Sequence, residues 1–338
     1  MTVIKPKFYD DFRCTASKCT DNCCIGWEID IDENTLEKYK NVSGDFSEYI
    51  KSNITKSPDG SNCFVLKENG RCAFLDGENL CMIYKNCGSD FLCDICREHP
   101  RFYNLLYSCE EAGLGLCCEE ASRLLFESSE FELVKEENGE ICEEASEDET
   151  ETESELLDFR EILFSVICNE NETLEKCIEK VILNTEAFSK KYDCEVQKVK
   201  ILSDTELVDI MKKTEAVDDN RQPLLNDIEN SIHIINDNKK VFFESIPECE
   251  KDYRKFLCYS LFRHFSQSLF DGRICERVSF SVNSMKFIVL CDVLTFLKTG
   301  TFTKRDRINN VKYYSKQIEY SEENTEMLVA SCRLLVVG

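Results

Sequence analysis

The sequence predicts a mainly α protein: a small Cys-rich module of short strands and loops over residues 1–126, an acidic linker over 127–155, and an α-helical C-terminal domain over 156–338. Three observations predict it. Thirteen of the 22 cysteines lie at or before Cys118. Beyond the linker, apolar residues recur at three- and four-residue spacing, the mark of helices with one buried face. No stretch alternates strands with helices as a parallel-sheet fold requires. With 338 residues and 42% apolar content, the chain can build two domains or one large one, and two are expected.

In chain order, Trp27–Glu33 alternates apolar and acidic residues and predicts a short, half-exposed strand. Asp32 or Asn34 then caps a helix running through Asn41. Cys14, Cys19, Cys23 and Cys24 therefore sit on the loop before a strand. Gly70 and Asp76-Gly77 bracket short apolar runs, which places Cys72 and Cys81 on or beside a hairpin-like loop. Asp94-Ile95-Cys96 opens a short helix that Pro100 ends. From Glu130 to Glu155 acidic and polar residues dominate, with Lys135 the lone basic one, so this stretch is expected to be a solvated linker. Helices follow over Leu156–Cys168, Thr173–Lys191, Thr205–Thr214, Tyr253–Phe270 and Val282–Leu297, and Ser321 caps a last one reaching Leu335. The nearest approach to a membrane span is Phe287–Lys298, which is short and contains Asp292. A soluble protein is expected.

The cysteines point to metal. Cys14-Thr-Ala-Ser-Lys-Cys19-Thr-Asp-Asn-Cys23-Cys24 is too dense for scattered core thiols, and thiolate selects iron-sulfur clusters, zinc or copper(I) over calcium and magnesium. A disulfide framework is disfavoured, because the charged N-terminal residues lack the apolar run of a signal peptide; a cytoplasmic location with reduced thiols follows. Cys168, Cys177, Cys194, Cys258 and Cys291 suit plain burial on helical faces. Zinc sites favour paired Cys-x-x-Cys knuckles or mixed Cys and His pairs, whereas here only Cys93-Asp-Ile-Cys96 has that form and there are three histidines, His99, His233 and His264. Spacing leans to iron-sulfur and leaves zinc as the alternative. The radical adenosylmethionine spacing is missing, since Gly26 stands three residues after Cys23, so no radical enzyme is predicted. Elements this short are not expected to hold a core alone, and bound metal would supply the missing folding free energy.

Charge narrows the partners. Forty-one basic against 65 acidic residues give a net charge of -24, which repels phosphate backbones and anionic membranes and favours a basic protein partner. The oligomeric state is left open.

Taken together, Phe8–Cys24 and the Ile-Gly that follows, Cys72-Ala-Phe-Leu, Leu80-Cys81, Cys93-Asp-Ile-Cys96-Arg-Glu-His-Pro and Glu111-Ala-Gly-Leu-Gly-Leu-Cys117-Cys118-Glu-Glu-Ala-Ser resemble the flagellin lysine N-methylase family. The cysteine module is also similar to a broader family of zinc- or iron-chelating cysteine-cluster proteins. The resemblance implies a bacterial cytoplasmic enzyme that transfers methyl from S-adenosylmethionine to lysines of flagellin, with a four-iron (4Fe-4S) cluster. The cysteines on the family pattern are Cys14, Cys19, Cys23, Cys24, Cys72, Cys81, Cys96 and Cys118; Cys63, Cys87, Cys93, Cys109 and Cys117 are additional. Eight exceed the four thiolates of one cluster, so some serve otherwise. The end at Val337-Gly338 is early for the family.

Methyl transfer needs a neutral amine, while lysine has an ordinary pKa near 10.4, so the site needs a proton acceptor. Glu28, Tyr103 and Glu120 are the candidates put forward, among the neighbouring acids Asp30, Asp32, Glu98 and Glu119. Arg101 either holds a cofactor carboxylate bidentately or pairs with one of the acids. No Gly-x-Gly-x-x-Gly follows a strand, and Ala112-Gly113-Leu114-Gly115 is expected to be a helix-entry or packing turn. Two functional readings stand: the methyltransferase, or a non-enzymatic zinc- or iron-binding module carrying a helical protein-interaction domain.

Overall fold

A computed structural model describes residues 2–20, 22–26, 28–58, 60–137, 145–192, 197–217 and 221–334. Trp27, Cys194, Leu335, Val337, Gly338 and linker residues 138–144 lie outside them. In chain order the regular elements begin with β1 (Thr2–Pro6), α1 (Glu33–Lys40), α2 (Asp45–Ser52), β2 (Ile54–Lys56), β3 (Asn62–Phe64), α3 (Met82–Cys87) and α4 (Asp94–Glu98). Next come β4 (Arg101–Leu105), β5 (Cys109–Leu114), α5 (Glu119–Glu127), β6 (Leu133–Glu137), α6 (Glu147–Ile167), α7 (Leu174–Ser189), α8 (Asp204–Lys213) and α9 (Arg221–Ser245). The chain closes with α10 (Cys249–His264), α11 (Ser268–Asp271), α12 (Ile274–Thr299), α13 (Lys304–Ile318) and α14 (Glu322–Ser331). The mainly α class with a small strand-and-loop N-terminal region is as expected.

Two compact units divide the chain: Arg13–Phe102 with Cys118–Glu120, and Met1–Phe12 with Tyr103–Cys117 and Ala121–Gly338. These differ from the expected 1–126, 127–155 and 156–338. The first twelve residues supply β1, an interior strand of the larger unit's sheet, and the expected linker contains β6 and the first turns of α6. The acidic run is helical because Ser146 and Glu149 cap it reciprocally and Glu147, Asp148 and Glu149 complement the positive end of the helix dipole.

In the cysteine-bearing unit, Asp32 caps α1 through the Thr35 amide, and Asn41 ends the helix, as the sequence predicts. The strand expected at Trp27–Glu33 is absent from residues 28–32. They run extended beside β3, with Phe64 donating to the Ile29 carbonyl and Ile31 to that of Asn62, but β3 has only three residues and the pairing stops at one bridge. This unit does possess an apolar core, contrary to expectation. Ile50, Phe64, Ala73, Phe74 and Ile83 are buried, and the Phe64 and Phe74 rings meet at 4.8 Å.

The larger unit contains a four-stranded sheet of order β4-β5-β1-β6, with β1 parallel to β5 and antiparallel to β6. The sequence reading missed it, because β6 is a polar edge strand and β1 pairs with a segment over a hundred residues away. Residues 112–114, expected in a helix-entry or packing turn, lie in β5. Gly115 does mark a close approach: a Cβ there would overlap the Tyr320 hydroxyl and ring.

Helices pack around α12. By length and composition alone α12 is long and apolar enough to cross a membrane, which corrects the shorter Phe287–Lys298 expectation, but most of it is buried inside its unit. A core helix is hydrophobic all round for the same reason a spanning one is. Its Asp292 accepts from Tyr253 and Asn310, both at 2.7 Å, and pairs with buried Arg307 at 2.9 Å. The sequence reading also passed over α9, whose buried Leu225, Ile228, Ile235 and Phe242 form a thin stripe among polar residues. Cys177, Cys258 and Cys291 are buried as expected, and Cys168 is half-buried.

Candidate metal centre

Four chain segments of the cysteine-bearing unit converge on one cavity. The Cys72 amide donates to the Cys24 carbonyl at 2.8 Å, and Gly26 donates to Gly70 at 2.8 Å. Gly70 has φ +68°, and a Cβ there would press on the Gly26 backbone at 3.1 Å, so glycine lets these two loops touch. Beyond Cys72, Leu75 bridges to Cys81 and Met82 donates to the Phe74 carbonyl at 2.8 Å. Asp76 closes that turn by accepting from the Glu78 and Leu80 amides, both at 2.9 Å; Lys85 and these amides hold its carboxyl below the usual range.

The last segment is α4, with Cys93 at its N-cap and Cys96 in its first turn. It and the turn that precedes it are fastened to α1 and its cap by three hydrogen bonds. Asp32 accepts the Asp94 amide at 2.9 Å, Tyr39 donates its hydroxyl to the Phe91 carbonyl at 2.8 Å, and Lys38 donates to the Asp90 carbonyl at 2.9 Å.

The cavity wall carries Cys24, Cys72, Cys81, Cys93 and Cys96, and is otherwise made of Ile29, Tyr39, Phe64, Phe74, Leu75, Ile83 and Leu92. Of the eight cysteines on the family pattern, the structure brings together Cys24, Cys72, Cys81 and Cys96. Cys23 stands beside them, within electrostatic reach of Cys24 and Cys81. Cys14 is exposed and accepts from the Ala16 amide at 3.4 Å, Cys19 lies 3.9 Å from the Glu119 carboxylate, and neither these nor Cys118 line the cavity. Cys93, set aside as additional, does line it. Its signal was the Cys-x-x-Cys spacing, which turns both sulfurs to one side of a short helix.

Four of the five thiols are hard to ionise there. Hydrogen bonding to Cys23 and burial push Cys24 well up; burial pushes Cys72 up to about 11 and raises Cys81. Cys93 and Cys96, 3.4 Å apart, share a hydrogen bond that raises Cys96 and lowers Cys93. An apolar wall holding several thiols favours thiolates only beside a cation, which is the condition for soft-metal binding. The donors are all sulfur, the chemistry of a soft metal and not of a hard ion. Among the described residues no three Cys, His, Asp or Glu side chains converge as a single ion requires; the thiols line a wall instead of meeting at a point.

Most of the proposed proton acceptors have structural work. Asp32 bonds two helix starts, Glu98 pairs with Arg97 at 3.5 Å, Asp30 accepts from Ser61 at 3.2 Å, and Glu119 accepts the Thr20 amide at 3.0 Å along with its hydroxyl. Glu28 is exposed, Glu120 is half-buried, and Tyr103 belongs to β4 in the larger unit. Arg101 is half-buried at the start of β4. Burial pushes His99 down to about 4, so its ring is neutral at pH 7.

An apolar, all-sulfur cavity defines the class of cysteine-cluster metal-chelating proteins. Residues 13–111 match the family described as CxxCxxCC, "Putative zinc- or iron-chelating domain". The chain is 30% identical over 139 residues to the flagellar biosynthetic protein FliU of Salmonella muenchen, covering 37% of this chain and 78% of that protein. It is 31% identical over 134 residues to the lysine-N-methylases of Salmonella choleraesuis and Salmonella typhimurium, covering 37% of this chain and 33% of each. The chain belongs to this family of lysine-N-methylase and FliU relatives, and spans about a third of the methylases' length. No solved structure matches it.

Proposed function

We propose that the chain is a cytoplasmic, S-adenosylmethionine-dependent N-methyltransferase acting on lysine side chains of flagellin, with a 4Fe-4S cluster held by Cys24, Cys72, Cys81 and Cys96. The observation that carries the reading is the five-cysteine apolar cavity in a chain related to lysine-N-methylases. One cluster takes four thiolates; these four fall on the family pattern, and Cys93 then serves as the hydrogen-bonding neighbour of Cys96. When bound, the cluster supplies binding free energy that locks four loops together and a positive centre against which the thiolates are stable.

The chain's own residues do the rest. A net charge of -24 draws a lysine-bearing substrate towards the protein. Glu28, exposed on the segment between Cys24 and α1, takes the proton from the substrate ammonium at a carboxylate oxygen, leaving the amine lone pair for the methyl group. Arg101 pairs with the carboxylate of the methyl donor.

The test is anaerobic purification followed by iron, sulfide and zinc analysis and a visible spectrum, with and without S-adenosylmethionine, and then mass spectrometry of flagellin incubated with both. About four irons and four sulfides per chain, a spectrum that responds to the donor, and methyl-lysine in flagellin are expected. A second reading, a non-enzymatic zinc or iron module with a helical protein-interaction unit, is favoured by the methylase similarity spanning only a third of those proteins. Stoichiometric zinc, no visible band and no response to the donor would select it.

A further inference from the structure

The larger unit holds a second thiol pair that the metal reading does not use. Cys168 is the C-cap of α6 and is half-buried, while Cys258, in the middle of α10, is fully buried. Their sulfurs are 3.8 Å apart, in van der Waals contact across 90 residues of sequence. Arg254, one turn before Cys258 on α10, fixes this contact. Its Nη1 donates to the Ile167 and Asn169 carbonyls on either side of Cys168, and to the Cys177 sulfur at 3.3 Å. Arg254 is itself paired with Glu250 at 2.5 Å. The end of α6 is thus tied to α10 by a buried cation, with one thiol half-buried and its neighbour fully buried.

We infer that Cys168 and Cys258 form a redox-responsive dithiol that a hydroperoxide closes to a disulfide. The Cys168 thiolate attacks one peroxide oxygen, so that an S–O bond forms, the O–O bond breaks, and the departing alkoxide takes up the thiol's proton to leave as an alcohol or water. The Cys258 sulfur then attacks the sulfenic sulfur of Cys168; the S–S bond forms, the S–O bond breaks, and water leaves with the Cys258 proton. The two sulfurs give up two electrons and the peroxide accepts them. Closing the gap to the roughly 2.05 Å of a disulfide asks for a side-chain rotation at a helix end. The hydrogen bond with Cys258 and the Arg254 charge favour the ionised form of Cys168, against burial and the charges of Glu130 and Glu170. Cys177 is a poor competitor, because it is fully buried and engaged by Arg254.

The full chain, purified anaerobically with its bound metal, is treated with equimolar hydrogen peroxide, denatured and alkylated, then reduced and alkylated with a second reagent, and its peptides are quantified. First-label reactivity of Cys168 and Cys258 is expected to fall together by about tenfold, a peptide cross-linked between them appears, and Cys177 and Cys275 keep their reactivity. In Cys258→Ser the Cys168 sulfenic acid persists and is captured by a dione reagent; in Cys168→Ser, Cys258 stays reduced. The inference is overturned if wild-type Cys168 keeps its reactivity, or is oxidised with no cross-link to Cys258. The wild-type cross-link decides the matter even where a variant folds poorly.

Discussion

Asp32→Ala tests how the cysteine-bearing unit holds its Cys93–Cys96 knuckle. One Asp32 oxygen accepts the Thr35 amide at 2.8 Å and caps α1; the other accepts the Asp94 amide at 2.9 Å at the start of α4. Losing an N-cap costs about 1 kcal/mol, and losing a hydrogen bond to a charged acceptor costs about 1.5 kcal/mol at a half-exposed site. The expected destabilisation is therefore about 2.5 kcal/mol. Asp32→Asn retains one acceptor oxygen, keeps one of the two bonds, and is expected to lose roughly half as much. The assay is urea unfolding at fixed metal content, followed by tryptophan fluorescence. Trp27 is the single tryptophan of the chain and lies within Arg13–Phe102, so the signal reports the cysteine-bearing unit. Metal content should fall in the same order, alanine below asparagine below wild type, because the knuckle carrying Cys96 loses its anchor. An unchanged midpoint in Asp32→Ala, or equal losses in the two variants, would refute the reasoning.

Three other outcomes are expected. Cys24→Ser and Cys96→Ser should each abolish most metal binding while Cys14→Ser, outside the cavity, leaves it intact, as read by metal analysis of the purified variants. Glu319 is buried, which pushes its carboxyl up, but Arg263 at 3.5 Å and hydrogen bonds from His264 and Ser315 outweigh this and hold it at about 2. A depressed folded value stabilises the protein fully above the ordinary value of 4.5 and is lost as pH falls through about 2; the contribution is about 3 kcal/mol. Acid unfolding of the helical unit, followed by circular dichroism, should lose that component in Glu319→Gln. Gly115→Ala should lower the melting temperature, since its Cβ would overlap the half-buried Tyr320 ring, at a cost of about 1–3 kcal/mol; Gly115→Ala with Tyr320→Phe removes the hydroxyl overlap and should recover part of it.

What the sequence determined by itself is what depends on neighbours in the chain. Caps and periodicity are local, so Asp32, Thr173 and Ser321 marked helix starts, and the buried faces of α6, α7, α10 and α12 were legible from spacing. Soft-metal chemistry was legible too, because thiolate density is a property of composition. The long α9 stayed hidden behind its polar residues, and β1 and β6 are strands only because each finds a partner far away in sequence. The tertiary structure alone decided which thiols share one cavity wall. Cys72 reaches Cys24 through a backbone hydrogen bond between loops, Gly70 and Gly26 permit that approach, and Asp32 turns the α4 knuckle so that Cys93 joins the wall while Cys14 and Cys19 do not. Spacing along a chain constrains residues within a turn or two; convergence across it is set by long-range packing and pairing, which no local pattern encodes.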